Sequence, residues 1–547
     1  MGCPAFCLCI CGRSCWTRAC WAGVGWYNGA VMETGSFSAE PAVLVLDDGR
    51  LALSRLDALL GRPLSVRLGE SAWRRVEASR ESVGRILSSG QPVYGINTGF
   101  GHLCRKRVDD ADLGRLQENL IRSHAVGVGR DVPDAIVRWM LLLKTHALAL
   151  GYSGVRRETL QLLVDMLCAD LLPVVPEQGS LGASGDLAPL AHMVLPLIGE
   201  GRVRCEGKVM PVAEAFAKAG LKPVTLGPKE GLALINGTQF MSAFSAALCI
   251  RAMRAVKHAD IIASMSLEAL RGSAQPFDER LHALRPHRGA VETAGNMRRL
   301  LADSEILPSH ADCGKVQDPY SLRCVPQVHG ATRDALRHAW ETCETEINSV
   351  TDNPVILDDA TAISGGNFHG QPLALTLDYL AIAVAELAAI SERRVYLLLS
   401  GHDGLPSLLM EDTGLNSGFM LPQYTAAALV SENKILASPA SVDSIPTSLG
   451  QEDHVSMGAT AATKAWRIMD NTETVLAIEL MCAAQALDYR APLKAGVGPR
   501  TAHDVLRGVI AHCESDRLFG QDIQASLRLL RSQAVVTRVE QSTGALE

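Results

Sequence analysis

The sequence predicts a mainly α-helical protein, in which a long-helix bundle follows an N-terminal globular part with short strands and glycine-rich active-site loops. Two observations predict this class. Strand signals are few, whereas four long segments are rich in alanine and leucine and contain no internal proline, at about residues 237–270, 329–350, 372–399 and 458–489. Helices this long and apolar on most faces are buried in a bundle or between subunits. The segments therefore also favour a homo-oligomer.

The strand signals lie in the N-terminal part. Val43–Leu46 is a short β-prone run that ends at an Asp-Asp-Gly turn, and residues 202–210 contain two such runs on either side of Gly207. A glycine between two β-prone runs is typical of a hairpin. We therefore expect one strand and one hairpin.

Two helices of ordinary length are predicted between these strands. Residues 134–150 follow Pro133, which suits a first helical turn, and their mostly apolar stripe stops at Gly151. A second helix is predicted from about 157 to 171, because Pro173 cannot continue it.

The predicted division of the chain is an extension at residues 1–31, an N-terminal domain at 32–235 and a C-terminal long-helix domain at 236–547. Six of the 15 cysteines fall in the first 20 residues. Their spacing lacks the paired ligands of zinc ribbons, and arginines interrupt the apolar stretch that a signal peptide needs. A metal or redox role is the alternative. We expect the extension to lie outside the fold, as a natural start at Met32 would explain; N-terminal sequencing of native protein that begins at Met1 would exclude that start.

Composition excludes several classes of function. Lys plus Arg number 52 against 59 Asp plus Glu, a net charge of −7 with no basic block, so nucleic acid is not expected as a partner. The most apolar run, residues 373–390, is broken by Asp378 and Glu386, so no membrane span is predicted. Nine dispersed cysteines are interpreted as small buried hydrophobes of a cytoplasmic protein.

The stretch from Gly179 to His192 carries the most informative pattern. Its three glycines let the backbone bend more tightly than side chains permit. An ordinary loop before a helix also accounts for glycines with a serine or aspartate cap. The sharper interpretation is that a bend brings the amide nitrogen of Gly185 onto the carbonyl carbon of Ala183. Loss of one water then closes a five-membered ring through Ser184, and loss of a second from its side chain leaves a strongly electrophilic methylidene.

The same stretch resembles the self-made methylidene-imidazolone segment of the aromatic amino acid ammonia-lyase family. Further blocks are similar to family motifs in order and spacing, namely Tyr94–Gly101, Leu232–Thr238 and Gln317–Arg323. The resemblance runs from about residue 44 to beyond 500. It implies a 4-methylidene-imidazol-5-one formed from Ala183, Ser184 and Gly185 with no external cofactor, and a homotetramer whose active sites are each assembled from several chains.

The resemblance also implies roles for individual residues. Tyr94 is expected to remove the substrate β-proton, which requires its pKa to fall from about 10. Arg323 suits the substrate carboxylate, because guanidinium and carboxylate form two parallel hydrogen bonds. Asn236 is expected to bind the imidazolone oxygen and to stabilise developing charge. The pocket is completed, by resemblance, by Gln317, Tyr320 and Phe368.

Two places bear on the substrate. The pair Ser123-His124, and Glu452 within Gln451–Met457, are similar to family members that act on histidine, whereas phenylalanine lyases tend to carry Phe-Leu and a glutamine there. An imidazole needs polar partners for its two nitrogens, and a phenyl ring needs none. The resemblance therefore implies deamination of L-histidine to trans-urocanate and ammonia, the first step of histidine degradation. His124 and Glu452 are expected at the imidazole ring, and Glu452 is also expected to share in the proton transfers.

Three alternatives stay open at this point. A tyrosine or phenylalanine lyase or aminomutase would share the chemistry. His124 alone does not exclude tyrosine, because a histidine can form a hydrogen bond with a phenol. A lyase of the fumarase and aspartase type is disfavoured, because its Gly-Ser-Ser loop followed by Met-Pro and lysine is missing. An inactive homologue is disfavoured by the intact Ala-Ser-Gly sequence. No metal is expected, because the spacing of metal ligands is lacking at His192, His329, His369 and His454.

Overall fold

The computed structural model describes residues 43–57, 59, 62–101 and 106–547, so the extension predicted at residues 1–31 lies outside the described residues. Most of the described chain is helical, and its strands are short. The predicted fold class is therefore confirmed.

The N-terminal part consists of short and medium helices around three small sheets. Its helices are α1 (Leu53–Asp57), α2 (Glu70–Ser88), α3 (Leu113–His124), α4 (Asp134–Ala149), α5 (Arg157–Cys168), α6 (Leu187–Val194), α7 (Val212–Ala219) and α8 (Glu230–Ile235). Its strands are β1 (Val43–Leu46), β2 (Ser65–Leu68), β3 (Val128–Asp131), β4 (Leu172–Pro173), β5 (Pro176–Gln178), β6 (Arg202–Cys205) and β7 (Lys208–Pro211). β1 and β2 pair in parallel, β3 pairs antiparallel with β5, and β4, β6 and β7 form an antiparallel sheet.

The C-terminal part is built on long helices. They are α9 (Gln239–Ala269), α10 (Glu279–Ala283), α11 (Arg288–Leu300), α12 (Tyr320–Arg323), α13 (Val325–Glu346), α14 (Gln371–Leu399), α15 (Met420–Leu436), α16 (Gly458–Asp488), α17 (Val497–Arg507), α18 (Phe519–Arg531) and α19 (Ala534–Thr543). The strands β8 (Val355–Ile356) and β9 (Ala362–Ile363) form a two-stranded antiparallel ladder.

The four predicted long segments correspond to α9, α13, α14 and α16, which pack against one another and form the centre of the bundle. α13 begins earlier than expected, because Pro326 occupies its first turn, where proline costs no hydrogen bond. The described part of the chain belongs to one compact unit. The boundary predicted after residue 235 falls between α8 and α9, and it stays a prediction.

The predicted strand at Val43–Leu46 and the hairpin at residues 202–210 are confirmed as β1 and as β6 with β7. Gly207 turns the hairpin with φ +75°. The helix expected from 134 is α4, and α5 ends three residues before the predicted position. Asp170 adopts φ +49°, and the Leu171 N–H donates to Met166 O at 2.9 Å, which closes the helix end.

A buried ionic network crosses the centre of the bundle. The Asp260 carboxylate accepts from His329 Nδ1 at 2.7 Å and from Arg333 Nη2 at 2.5 Å. Burial disfavours this carboxylate, but the Arg333 guanidinium and the hydrogen bond from His329 more than offset burial and hold the pKa of Asp260 below its usual range. Arg394, beside His329, pairs with Glu479 at 2.5 Å. Its Nη1 also lies 3.4 Å from the carbonyl of Ser321 in α12. The network therefore ties the bundle to the segment that carries Arg323.

One described helix, α14, is long and apolar enough to cross a membrane by length and composition. About 61% of its most apolar stretch is buried inside the protein. A core helix of a bundle has these same properties, and α14 packs along α16 and α13.

The eight cysteines that the structure describes are free. The interpretation as buried hydrophobes is wrong for Cys168 and Cys313, which are exposed. It is confirmed for the cysteines on the bundle helices and near the C-terminus, namely Cys249, Cys343, Cys482 and Cys513.

Candidate active site

The Ala-Ser-Gly sequence forms a tight bend between β5 and α6. Gly182, Ser184 and Gly185 adopt φ values of +93°, +51° and +78°, and the Gly185 N–H donates to Gly182 O at 3.3 Å. For Ser184 this left-handed conformation is sterically unfavourable, and strained residues of this kind concentrate at functional sites. The bend predicted from the three glycines is present.

Gly237 holds this bend from the side of α9. The Asp186 N–H donates to Gly237 O at 2.8 Å, and the Gly237 N–H donates to the carbonyl of Ser184 at 3.3 Å. A Cβ atom on Gly185 would lie 2.2 Å from Gly237 O. Only glycine at 185 permits this approach, and it leaves the nitrogen of that residue as the least hindered in the bend.

Ser456 holds the bend from the side of α16. A Cβ atom on Gly182 would lie 2.2 Å from Ser456 Oγ, and the Met457 N–H donates to Leu181 O at 3.0 Å. Ser456 is fully buried, and its Oγ accepts from the Gly458 N–H at 3.2 Å. The loop before α16, which also carries Glu452, is thus fixed against the Ala-Ser-Gly bend.

Asn236 is buried next to Gly237, and its side-chain amide is held by the chain after α13. Its Nδ2 donates to Asp352 Oδ1 at 3.3 Å and to Asn353 O at 3.0 Å, and Asp352 in turn pairs with buried Lys229 at 2.6 Å. Since both neighbours of Nδ2 are acceptors, the amide orientation is defined. Among the described residues, Asn236 Oδ1 has no hydrogen-bond partner. The donor at the Ser184 carbonyl is the Gly237 backbone, and the free atom of Asn236 is an acceptor. The expected role of Asn236 at the imidazolone oxygen stays a prediction.

Tyr94 lies on a loop that reaches the Glu452 loop. Its hydroxyl accepts from the Gly101 N–H at 3.5 Å, and its ring packs edge-on against Phe100. A Cβ atom on Gly101 would lie 3.0 Å from Ser448 Oγ and 3.7 Å from Glu452 Oε1. The structure thus brings the predicted base and the predicted selectivity acid to adjacent loops.

His124 is the last residue of α3 and lies within electrostatic range of Glu452. Its Nδ1 lies 2.8 Å from Leu120 O. A carbonyl only accepts, so Nδ1 carries the proton and Nε2 is left as the free ring nitrogen. Burial lowers the pKa of His124, against smaller opposing effects of Leu120 O and Glu452, which favours the neutral ring. Nε2 of His124 and the Glu452 carboxylate are therefore two acceptors; either suits the single N–H of a neutral imidazole, and together they suit the two N–H groups of an imidazolium.

The predicted carboxylate-binding segment comprises Gln317, Tyr320 and Arg323. Arg323 stacks over the Tyr320 ring at 4.7 Å, and its buried Nε has no hydrogen-bond partner among the described residues. Gln317 is exposed, and Tyr320 is 71% exposed. Among the hydrogen bonds, ion pairs and ring contacts of the described residues, none joins Gln317, Tyr320 or Arg323 to the Ala-Ser-Gly bend.

Phe368 lies on the loop that leads into α14, and this loop runs beside the chain before α16. His369 Nε2 lies 3.3 Å from His454 O, and the two imidazole rings stack. A Cβ atom on Gly370 would lie 3.4 Å from Ser456 Oγ. Phe368 is therefore close in sequence to a contact with Ser456, which itself touches Gly182. Within the described ranges, no group of three or more His, Cys, Asp or Glu side chains could hold a metal ion.

Sequence reasoning missed several residues around the bend. Ser456 and Gly237 stood in quoted motifs without a role, and Lys229 and Asp352 gave no motif. Lys144 interrupts the apolar stripe of α4, and a lysine within such a stripe is the sequence signal that could have indicated a buried charge.

The fold is similar to that of solved ammonia-lyases and aminomutases. Histidine ammonia-lyase from Trypanosoma cruzi is 40% identical with a TM-score of 0.85, over 92% of this chain and 96% of that one. Tyrosine aminomutase from Streptomyces globisporus is 34% identical with a TM-score of 0.87, over 92% of this chain and all of that one. The protein is thus a carbon–nitrogen lyase.

The sequence comparisons define the family more closely. Histidine ammonia-lyases from Gloeobacter violaceus and Sorangium cellulosum are each 52% identical over 507 residues, which cover 92% and 91% of this chain and 99% of each relative. The aromatic amino acid lyase family model matches residues 51–508. The chain belongs to the aromatic amino acid lyase family.

Proposed function

We propose that the protein deaminates L-histidine to trans-urocanate and ammonia in the cytoplasm, as the first step of histidine degradation. The observation that carries the proposal is that His124 lies within electrostatic range of Glu452, whose loop adjoins the loop of Tyr94. These residues offer hydrogen-bond acceptors to an imidazole N–H, next to the Tyr94 oxygen that would take the β-proton. A phenyl ring would leave both polar groups unpaired, which costs binding free energy.

The prosthetic group that the family implies fits this chain. The Gly185 nitrogen is unhindered, the bend is tight, and the Gly237 N–H donates to the carbonyl that would become the ring carbonyl. Its formation joins Gly185 N to the Ala183 carbonyl carbon and releases two waters. When formed, the group supplies an electrophile for the substrate amine, which makes the nitrogen a better leaving group.

The other residues bind the substrate and move its proton. Tyr94 takes the β-proton, His124 and Glu452 hold the imidazole, and Arg323, which has no ion-pair partner among the described residues, takes the carboxylate. Asn236 Oδ1, a free acceptor, suits an N–H of the substrate amine.

We further propose a homotetramer in which Gln317, Tyr320 and Arg323 of one subunit complete the site of another. Among the contacts of the described residues, none joins them to the bend of their own chain, and Arg323 forms no ion pair there. Large apolar side chains are exposed on α14, α15 and the chain after it, as at Leu375, Tyr379, Tyr424, Ile435 and Val442. Exposed apolar surface of this extent is typical of subunit contacts.

The substrate is tested by following the ultraviolet-absorbing product with histidine, tyrosine and phenylalanine in turn. We expect turnover of histidine, and a preference for tyrosine, or β-amino acid product, would favour the aminomutase or tyrosine lyase alternative. Glu452→Gln should lower histidine turnover by about 10- to 100-fold, because one imidazole N–H loses its charged acceptor. The adjacent, exposed Asp453→Asn is the matched control and should leave turnover unchanged.

The prosthetic group is tested by intact mass, which should be about 36 Da below the sequence mass because two waters are lost. Ser184→Ala should fold but lose at most the one water of ring closure, because alanine has no hydroxyl to eliminate. It should also lose nearly all activity. An unmodified mass in folded, active wild-type protein would refute the proposed chemistry.

Co-expression of Ser184→Ala and Arg323→Ala chains tests the shared site. If one chain supplies Ser184 and another supplies Arg323, random mixing leaves roughly a quarter of the sites intact. If each site takes both residues from one chain, the mixed oligomers stay inactive.

A further inference from the structure

Lys144 is a buried charge that the reaction described above does not use. It lies on α4, is 2% exposed and has no carboxylate within ion-pair distance among the described residues. Its Nζ instead donates to Asn236 O at 2.7 Å and to Gln239 Oε1 at 3.2 Å. Lysine is almost never fully buried without a paired anion, so two neutral oxygens as its partners are an unusual arrangement.

The peptide group between Asn236 and Gly237 connects this lysine to the Ala-Ser-Gly bend. Lys144 Nζ donates to the carbonyl oxygen of this peptide, and the N–H of the same peptide donates to Ser184 O at 3.3 Å. A cation on the oxygen withdraws electrons from the peptide and makes its N–H a stronger donor. Hydrogen bonds in such a chain strengthen one another in a low-dielectric interior.

We propose that Lys144 is a positioning residue that, through the Asn236–Gly237 peptide, polarises the carbonyl of Ser184 and promotes the dehydration of that serine. The proposal rests on the proposed function. In the dehydration, the Ser184 Cα proton and the Cβ hydroxyl leave as water, and the electron pair of the Cα–H bond passes through the enolate form of the carbonyl. Negative charge on Ser184 O is stabilised by the Gly237 N–H, which Lys144 strengthens.

The ionisation of Lys144 gives the proposal a pH signature. Burial lowers the pKa of Lys144 to about 7, against the opposing attraction of Asp352. The other charged groups that act on it are Lys229, which lowers its pKa further, and Asp186, which raises it. The dehydration should therefore slow as pH rises through about 7, as Lys144 loses its charge.

The test follows the loss of about 36 Da in newly synthesised chains over time by intact mass spectrometry. Loss of a direct oxyanion donor costs about 10²–10³ in rate, so loss of a residue that acts through one peptide should cost roughly tenfold. We expect Lys144→Met to fold but to slow the mass loss to this extent. Lys144→Arg, whose charge does not titrate, should restore much of the rate and remove its decline above pH 7. Arg138→Met, which removes another buried cation of α4, one paired with Asp170, is the control and should mature at the wild-type rate.

A second variant tests the role of Lys144 if Lys144→Met does not fold. Gln239→Glu adds a carboxylate beside Lys144 Nζ and should also slow the mass loss, because it draws the charge away from Asn236 O. Wild-type rates and pH profiles in the variants that fold would overturn the role of Lys144. Wild-type protein without the mass loss would instead overturn the proposed function, so the two failures are distinguishable.

Discussion

The contact between Gly182 and Ser456 yields a quantitative prediction about how the Ala-Ser-Gly bend is held. In Gly182→Ala, the new Cβ would lie 2.2 Å from Ser456 Oγ, far inside van der Waals contact. Gly182 also has φ +93°, which costs an L-residue about 1–2 kcal/mol. The overlap itself adds about 1–3 kcal/mol, as overpacking of a buried site does. The single variant should therefore be less stable by roughly 2–5 kcal/mol.

Ser456→Ala removes the overlapping atom and separates the two costs. Alone it should cost about 1 kcal/mol, because the Gly458 N–H loses its acceptor at the start of α16. In the double variant the nearest atoms to the new Cβ become Ser456 N at 3.1 Å and Cβ at 3.3 Å. The overlap is thus relieved while the conformational cost stays. We expect the double variant to be more stable than the sum of the single effects predicts, by about 1–3 kcal/mol.

The assay is thermal unfolding at one fixed protomer concentration, because oligomer stability depends on concentration. Intact mass in parallel reports whether the bend still cyclises. Gly182→Ala should mature poorly, and the second substitution should recover part of the mass loss. Effects on stability that add within about 0.5 kcal/mol would refute the reasoning, because they would mean that the two residues do not contact each other.

Three further predictions concern other parts of the molecule. Tyr94→Phe should show the full mass loss, but its activity should fall by about 10²- to 10⁴-fold, the usual contribution of a general base. Activity within tenfold of wild type would contradict that role. The free energy of unfolding should rise with pH between about 7 and 10, because burial lowers the pKa of Lys144 to about 7 and the folded state then binds fewer protons than the unfolded state. Melting temperatures should show this contribution disappear in Lys144→Met. Asp260→Asn should cost about 3–5 kcal/mol by thermal unfolding, since His329 and Arg333 lose a buried anion; a change below 1 kcal/mol would contradict the structural importance of that network.

Much of the fold was predictable because its signals are local. Pro133 and Gly151 bracket α4, and Gly207 turns the hairpin, since each of these residues restricts or permits particular backbone angles by itself. The end of α5 was predicted less well, because Asp170 gave no strong sign of a left-handed conformation. Aspartate tolerates that conformation far less readily than glycine, so the packed surroundings decide it.

The sequence motifs identify candidate site residues, and the roles of these residues stay predictions. The motifs point to Tyr94, Ser184 and Glu452, but not to the contacts that hold them together. Ser456 and Lys144 contact residues that are far away in the sequence, namely Gly182 and Asn236. Such contacts follow from packing that no local sequence pattern encodes. The lack of a contact between Arg323 and the bend, within the described residues, could likewise be known only once the helices had been arranged in space.

The contacts at the Ala-Ser-Gly bend also bear on when the proposed modification can occur during protein synthesis. Gly237 and Ser456, which press on the bend from two sides, both follow it in the chain, and Ser456 emerges from the ribosome late. A nascent chain that ends before the start of α16 lacks one wall of the bend, so we expect the proposed cyclisation to wait until nearly the whole protein has been made and folded. The proposed electrophile would then be absent from incomplete chains, where it would be exposed to cellular amines and thiols. A chain that carries the modification would thereby show that it had folded.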